Sequence, residues 1–139
     1  MNAAEIGLAI QTQDNACTAH PIFMVQSQRR IYGMDPDYSE EFVWLHADEC
    51  DEVDSILAAE LEGEYQKTYD EREGYRRVAY MDLWENVQPF FTRAGAEDYL
   101  ARNGHNLKTP RIYVESAYRN QEWQLAREIF ANAAAEVRP

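Results

Sequence analysis

The run YRRVAYMDLWENVQPFF, residues 75–91, constrains the fold more than any other stretch. In an extended reading Val78, Tyr80, Asp82, Trp84 and Asn86 share one face, while Ala79, Met81, Leu83 and Val87 lean to the other. That alternation predicts a long strand, with a bend or bulge near Glu85-Asn86. Three shorter runs have the same β-rich character. IFMVQSQRRIY at 22–32 follows Pro21, FVWLH at 42–46 is a short apolar run, and RIYVESAY at 111–118 follows Pro110. Between the first two, GMDPDYSEE is turn material centred on Asp35-Pro36-Asp37.

Helical signals fall between the strands. AAEIGLAIQTQ predicts a short N-terminal helix, weakened by Gly7. Thr92 is placed to cap RAGAEDYLARN, and Gly104 fits the left-handed position after its end. Asn120 is placed to cap QEWQLAREIFANAAAEVR, where Trp123, Ala126, Ile129, Phe130 and Ala133 or Ala134 make an apolar stripe. In the middle, Val53, Ile56, Leu57, Leu61 and Tyr65 follow helical spacing, so an acidic amphipathic helix is expected over about 51–65, followed by a polar loop, QKTYDEREGY. The order is α-β-β-α-β-α-β-α. It predicts an α+β fold, an antiparallel sheet of three to four strands covered by helices on one face. No linker or repeat divides the 139 residues, so one domain, 1–139, is expected, with an acidic segment at 35–73.

That segment owns the charge imbalance of the chain. It holds fifteen Asp and Glu against Lys67 and Arg72 alone, a balance of −13, whereas the remainder carries ten acids and eleven bases. Solubility alone does not require such concentration. A net charge of −12 opposes direct binding to nucleic acid or to anionic lipid. No apolar run approaches the roughly 18 residues that cross a bilayer, and the N-terminus carries Glu5 where a signal peptide needs a basic start. A soluble protein that stays where it is made is expected. Two cysteines, Cys17 and Cys50, are too few for a disulfide framework and read as free thiols.

Reaction signatures are sparse, and no enzymatic activity or cofactor is expected. Cys17-x2-His20 and His46-x3-Cys50 offer four ligands of the kind a tetrahedral zinc site uses, provided the strand beginning at Ile22 lies beside the strand ending at His46. This is the alternative reading, a zinc protein or small hydrolase; neither pair is a CxxC knuckle, and a buried thiol with two ordinary histidines is favoured. DPDYSEE alternates oxygens like a calcium loop but lacks Gly at the sixth position and has His46 at the twelfth, so an EF-hand is rejected. Ser116 has no elbow glycines, His105 reads as a helix-end residue, and no phosphate-cradling glycine motif occurs. Arg29-Arg30 and Arg76-Arg77 are expected to neutralise the acidic helix or to point to opposite faces rather than to form a basic patch.

Two stretches, EIGLAIQTQDNACTAHPIFMVQSQRRIYGMDPDY and FFTRAGAEDYLARNGHNLKTPRIYVESAYRNQEW, resemble uncharacterised small proteins of tailed phages and prophages of proteobacteria. The phrases QTQDN-x-CTAHP and NGHN-x-K-x-PRIYVES carry the resemblance, which leaves out the acidic middle. It implies a phage accessory protein in the bacterial cytoplasm, a setting in which inhibitors of host defence, anti-CRISPR proteins among them, are common.

The expected function follows from the charge. A ridge of carboxylates has the sign of a nucleic-acid backbone and suits a basic groove on a host nucleic-acid-binding protein, such as a CRISPR effector. The candidate partner-binding residues are Asp48, Glu49, Asp51, Glu52, Asp54, Glu60, Glu62 and Glu64, with Trp44 and Tyr65 as anchors and Tyr38 and Tyr69 beside them. A merely acidic accessory protein is the remaining alternative.

Overall fold

The computed structural model describes residues 1–137. The chain runs α1 (Ala3–Thr12), β1 (Pro21–Met34), a 3-10 turn (Pro36–Tyr38), β2 (Phe42–His46), α2 (Ser55–Thr68), β3 (Tyr75–Phe90), α3 (Arg93–Asn103), a second 3-10 turn (Gly104–Asn106), β4 (Arg111–Ser116) and α4 (Gln121–Val137). The four strands form one antiparallel sheet in the order β2-β3-β1-β4, so the fold is α+β, as expected. Pro21 to Gln26 pair with Ser116 to Arg111, and Phe42 to His46 pair with Ala79 to Tyr75. The chain divides into two compact units, Met1–Gln28 with Trp84–Pro139, and Arg29–Leu83; β1 and β3 run through both. Among the described residues no helix is long and apolar enough to cross a membrane.

In the first unit the core sits where strand alternation meets α3. Phe23 and Val25, two apart on β1, are fully buried against Ala96, with Val87, Phe90 and Leu100 packed around them. Thr92 caps α3 by accepting from Gly95 N at 2.9 Å. Gly104, expected to be left-handed, has φ −59° and ψ −27°; the chain continues into the 3-10 turn, which satisfies carbonyls that a left-handed cap otherwise meets. Asn120 caps α4 through Trp123 N at 3.0 Å. Trp123 stacks on Phe91 with centroids 4.1 Å apart, and Ala134 is buried, but Ile129 of the expected stripe is 60% exposed. Arg138, the last residue of the expected helix, lies outside the described residues. α1 is held by an Asn2–Glu5 capping box and packs on α4 at Gly7.

In the second unit the acidic helix begins four residues later than expected. Residues 51–53 bond back onto β2 instead: His46 N donates to Asp51 O at 2.8 Å, and Val53 N to Trp44 O at 3.0 Å. The reversal places Cys50 at φ 56°. Asp54 is then the cap, accepting from Leu57 N at 2.8 Å, and α2 runs on to Thr68 before Tyr69 turns left-handed. Of the expected stripe only Leu61 is fully buried; Leu57 and Tyr65 are half-buried, and Ile56 is 83% exposed.

Candidate functional site

The second unit carries most of the charge, sixteen acids against six bases for a balance of −10, while the first unit carries nine against seven. Three arginines cancel part of it locally.

Arg77, on β3, donates through Nε to Glu62 Oε2 and through Nη2 to Glu62 Oε1, both at 2.9 Å. Trp44 Nε1 reaches the same carboxylate at 2.8 Å and Gln66 Nε2 at 2.9 Å. The Arg77 guanidinium also lies over Phe42 at 3.9 Å and near Tyr65 at 4.6 Å. The Arg77 hydrogen bonds above all, aided by Trp44 and Gln66, hold the Glu62 carboxyl down to about 2 against partial burial. Arg72 bridges Glu60 at 2.9 Å and Glu64, whose carboxyl it also lowers. Arg30 grips Asp82 through Nε at 2.8 Å and Nη2 at 3.0 Å, and Glu52 through Nη1 at 2.7 Å. The expectation for Arg30 and Arg77 is met: alternation sends them to carboxylates rather than into a joint patch.

The ten candidate residues therefore divide. Glu52, Glu60, Glu62 and Glu64 are paired with arginines, so α2 does not present an unbroken ridge of free carboxylates. Asp54 is spent on the helix cap. Trp44, expected as an anchor, is 3% exposed because a β2 side chain facing α2 belongs to the core; Tyr65 is half-buried, edge-on to it at 5.9 Å. Asp48, Glu49 and Asp51 remain, exposed in the turn after β2, and among the described residues no ion pair or side-chain hydrogen bond engages them. Tyr38, Ile56 and Tyr69 are exposed at 83%, 83% and 74%. Sequence spacing missed Ile56 as a surface residue, because its i+3 spacing from Val53 placed it in the expected stripe although it lies about 140° around the axis from the buried Leu61. A cleft of about 410 Å³ beside Tyr38 is lined by Glu40, Glu41, Tyr80 and Asp82.

The zinc alternative required β1 beside β2, and β3 lies between them. His46 is paired with Tyr75 and His20 O is bonded to Ala117 N. Both cysteines are exposed, not buried as expected, and among the described residues no three metal-ligating side chains converge. Ser116 shares its hydroxyl with Thr18 at 2.8 Å rather than with a base.

The Glu62 cluster predicts a pH dependence. Its folded carboxyl lies below its ordinary value of 4.5, so its contribution is complete above about pH 4.5 and is lost as pH falls towards 2. Urea midpoints of the wild type and Glu62→Gln are expected to differ most at neutral pH and to converge over that interval. A gap that does not narrow counts against the pairing.

Compared with known proteins, the chain matches no family model, no curated protein and no solved structure.

Proposed function

We propose that this chain is a non-catalytic inhibitor that binds the basic, nucleic-acid-binding groove of a host protein through the acidic surface of Arg29–Leu83. The observation that carries the reading is the charge left after internal pairing: a unit at −10 overall, with Asp48, Glu49 and Asp51 exposed and free of cations. A groove built to attract phosphates attracts such a surface, and complementary fields raise the encounter rate. Tyr38, Ile56 and Tyr69 supply the apolar contact that lengthens residence. In the phage setting that the resemblance implies, the target is a defence effector, a CRISPR effector among them, met in the bacterial cytoplasm.

The test uses immobilised chain and bacterial lysate, first at low and then at high ionic strength, with duplex DNA added as competitor. Surface electrostatics are screened over about 10 Å at 0.1 M salt and about 3 Å at 1 M, so the captured partner is expected to leave as salt rises. DNA is expected to displace it. The triple variant Asp48→Lys, Glu49→Lys, Asp51→Lys is expected to lose capture while its stability stays within about 0.5 kcal/mol of wild type, since those side chains support nothing in the fold. Equal capture by the variant, or a partner that DNA leaves in place, overturns the reading.

A further inference from the structure

One sheet face of the first unit holds a cation that no carboxylate neutralises. β4 ends the strand order, with β1 on one side and no strand on the other. Arg111, its first residue, sits across from Gln26 and donates from Nε to Gln26 Oε1 at 2.9 Å. The Gln26 amide in turn donates to Asn86 Oδ1 at 2.8 Å. The Arg111 guanidinium lies 3.7 Å from the centre of the Trp84 ring and 5.1 Å from that of Tyr113. Both rings are open to solvent, at 37% and 47%. Arg30, Arg72 and Arg77 each meet a carboxylate; Arg111 is held by an amide and two rings, and among the described residues no acid pairs with it.

A guanidinium fixed at Nε and packed on rings has already lost much of its side-chain freedom, and its Nη nitrogens match the two oxygens of a carboxylate. The strand edge beside it offers backbone groups for an added strand about 4.8 Å away, close enough for facing side chains to touch. A polyanion suits the place badly. Glu115 follows on the same face of β4 and the whole chain carries −12, whereas duplex nucleic acid brings a charge every ~1.7 Å. A single carboxylate on an otherwise apolar segment avoids that repulsion.

We propose that Arg111, with Trp84 and Tyr113, forms a docking site for an extended peptide segment of a partner protein. The segment adds alongside β4, sets one Asp or Glu carboxylate on Arg111, and lays an apolar side chain two residues away against Tyr113. This site is separate from the acidic surface and stands or falls without it.

An array of ten-residue synthetic peptides, varied at every position and probed with the full chain, tests it. Binders are expected to share an acidic residue at one position and an apolar residue two places away. Changing that acid to its amide in the best peptide is expected to weaken binding about tenfold or more, a comparison that leaves the protein untouched. Arg111→Gln is expected to abolish the acidic preference, and Arg111→Lys, which keeps the charge without the fork, to retain part of it. No acidic preference, a preference unchanged in both variants, or tighter binding to a single-stranded oligonucleotide than to any peptide overturns the proposal.

Discussion

Replacing Gly7 with alanine is expected to destabilise the protein by about 2–3 kcal/mol, although alanine favours helices by about 1 kcal/mol over glycine. A methyl group there stands 2.0 Å from the Phe130 carbonyl oxygen, 3.0 Å from its carbon and 3.1 Å from the Ala134 side chain. The obstacle is backbone, which cannot rotate aside as a long side chain does, so α1 and α4 have to separate. Urea unfolding is expected to show a lower midpoint with an unchanged slope. Gly63, in the interior of α2, has nothing within 4 Å of the same position, and its alanine variant is the matched control, expected to gain stability. A Gly7→Ala variant as stable as wild type rules out the close approach of the two helices.

Leu61→Ala is expected to cost about 2–4 kcal/mol, the range for a buried leucine truncated where neighbours close the space only partly. Leu61 is 1% exposed and is the one fully buried residue of α2, so the helix has little other apolar burial to keep it in place. The loss is expected to concentrate within Arg29–Leu83. Hydrogen exchange resolves this: amides of α2 should exchange faster, while those of β1 at Phe23 and Val25 keep most of their protection. By contrast, Ile56→Ala is expected to change stability little, its side chain being 83% exposed. Equal effects at 56 and 61 contradict the orientation of the helix.

The contrast between these two positions explains what a reader of the sequence sees and misses. Ile56 and Leu61 both fall at helical spacing from Val53, but five positions set them about 140° apart around the helix axis, so the face that buries Leu61 leaves Ile56 in solvent. The start of the helix is a separate matter: Asp51, Glu52 and Val53 join β2, which moves the start of α2 to Ser55. The backbone partners of those three residues lie on a neighbouring strand, and no local propensity encodes that. Trp44 is a similar case: a strand that is apolar on both sides does not announce which side chains will be covered.

The arginines carry the same lesson for the candidate site. Their alternation on extended strands was legible, and with it the expectation that Arg29-Arg30 and Arg76-Arg77 neutralise acids or point to opposite faces rather than form a basic patch. Which carboxylates they would meet was not, since Arg30 and Asp82 lie 52 positions apart, and Arg77 and Glu62 fifteen. Those pairings remove four of the eight candidate acids from the free surface, the helix cap engages Asp54, and Asp48, Glu49 and Asp51 are left in the turn.

By itself the sequence determined the element order, the α+β class, the caps at Thr92 and Asn120, and the charge concentrated in one segment. All of these rest on interactions within a few residues, or on composition, which folding cannot alter. Tertiary structure alone decided the strand order that keeps Cys17-His20 from His46-Cys50, the glycine contact between α1 and α4, and the division of carboxylates into paired and free. Each of these depends on which distant groups are brought to within a few ångströms, and that distance is set by the packing of whole elements.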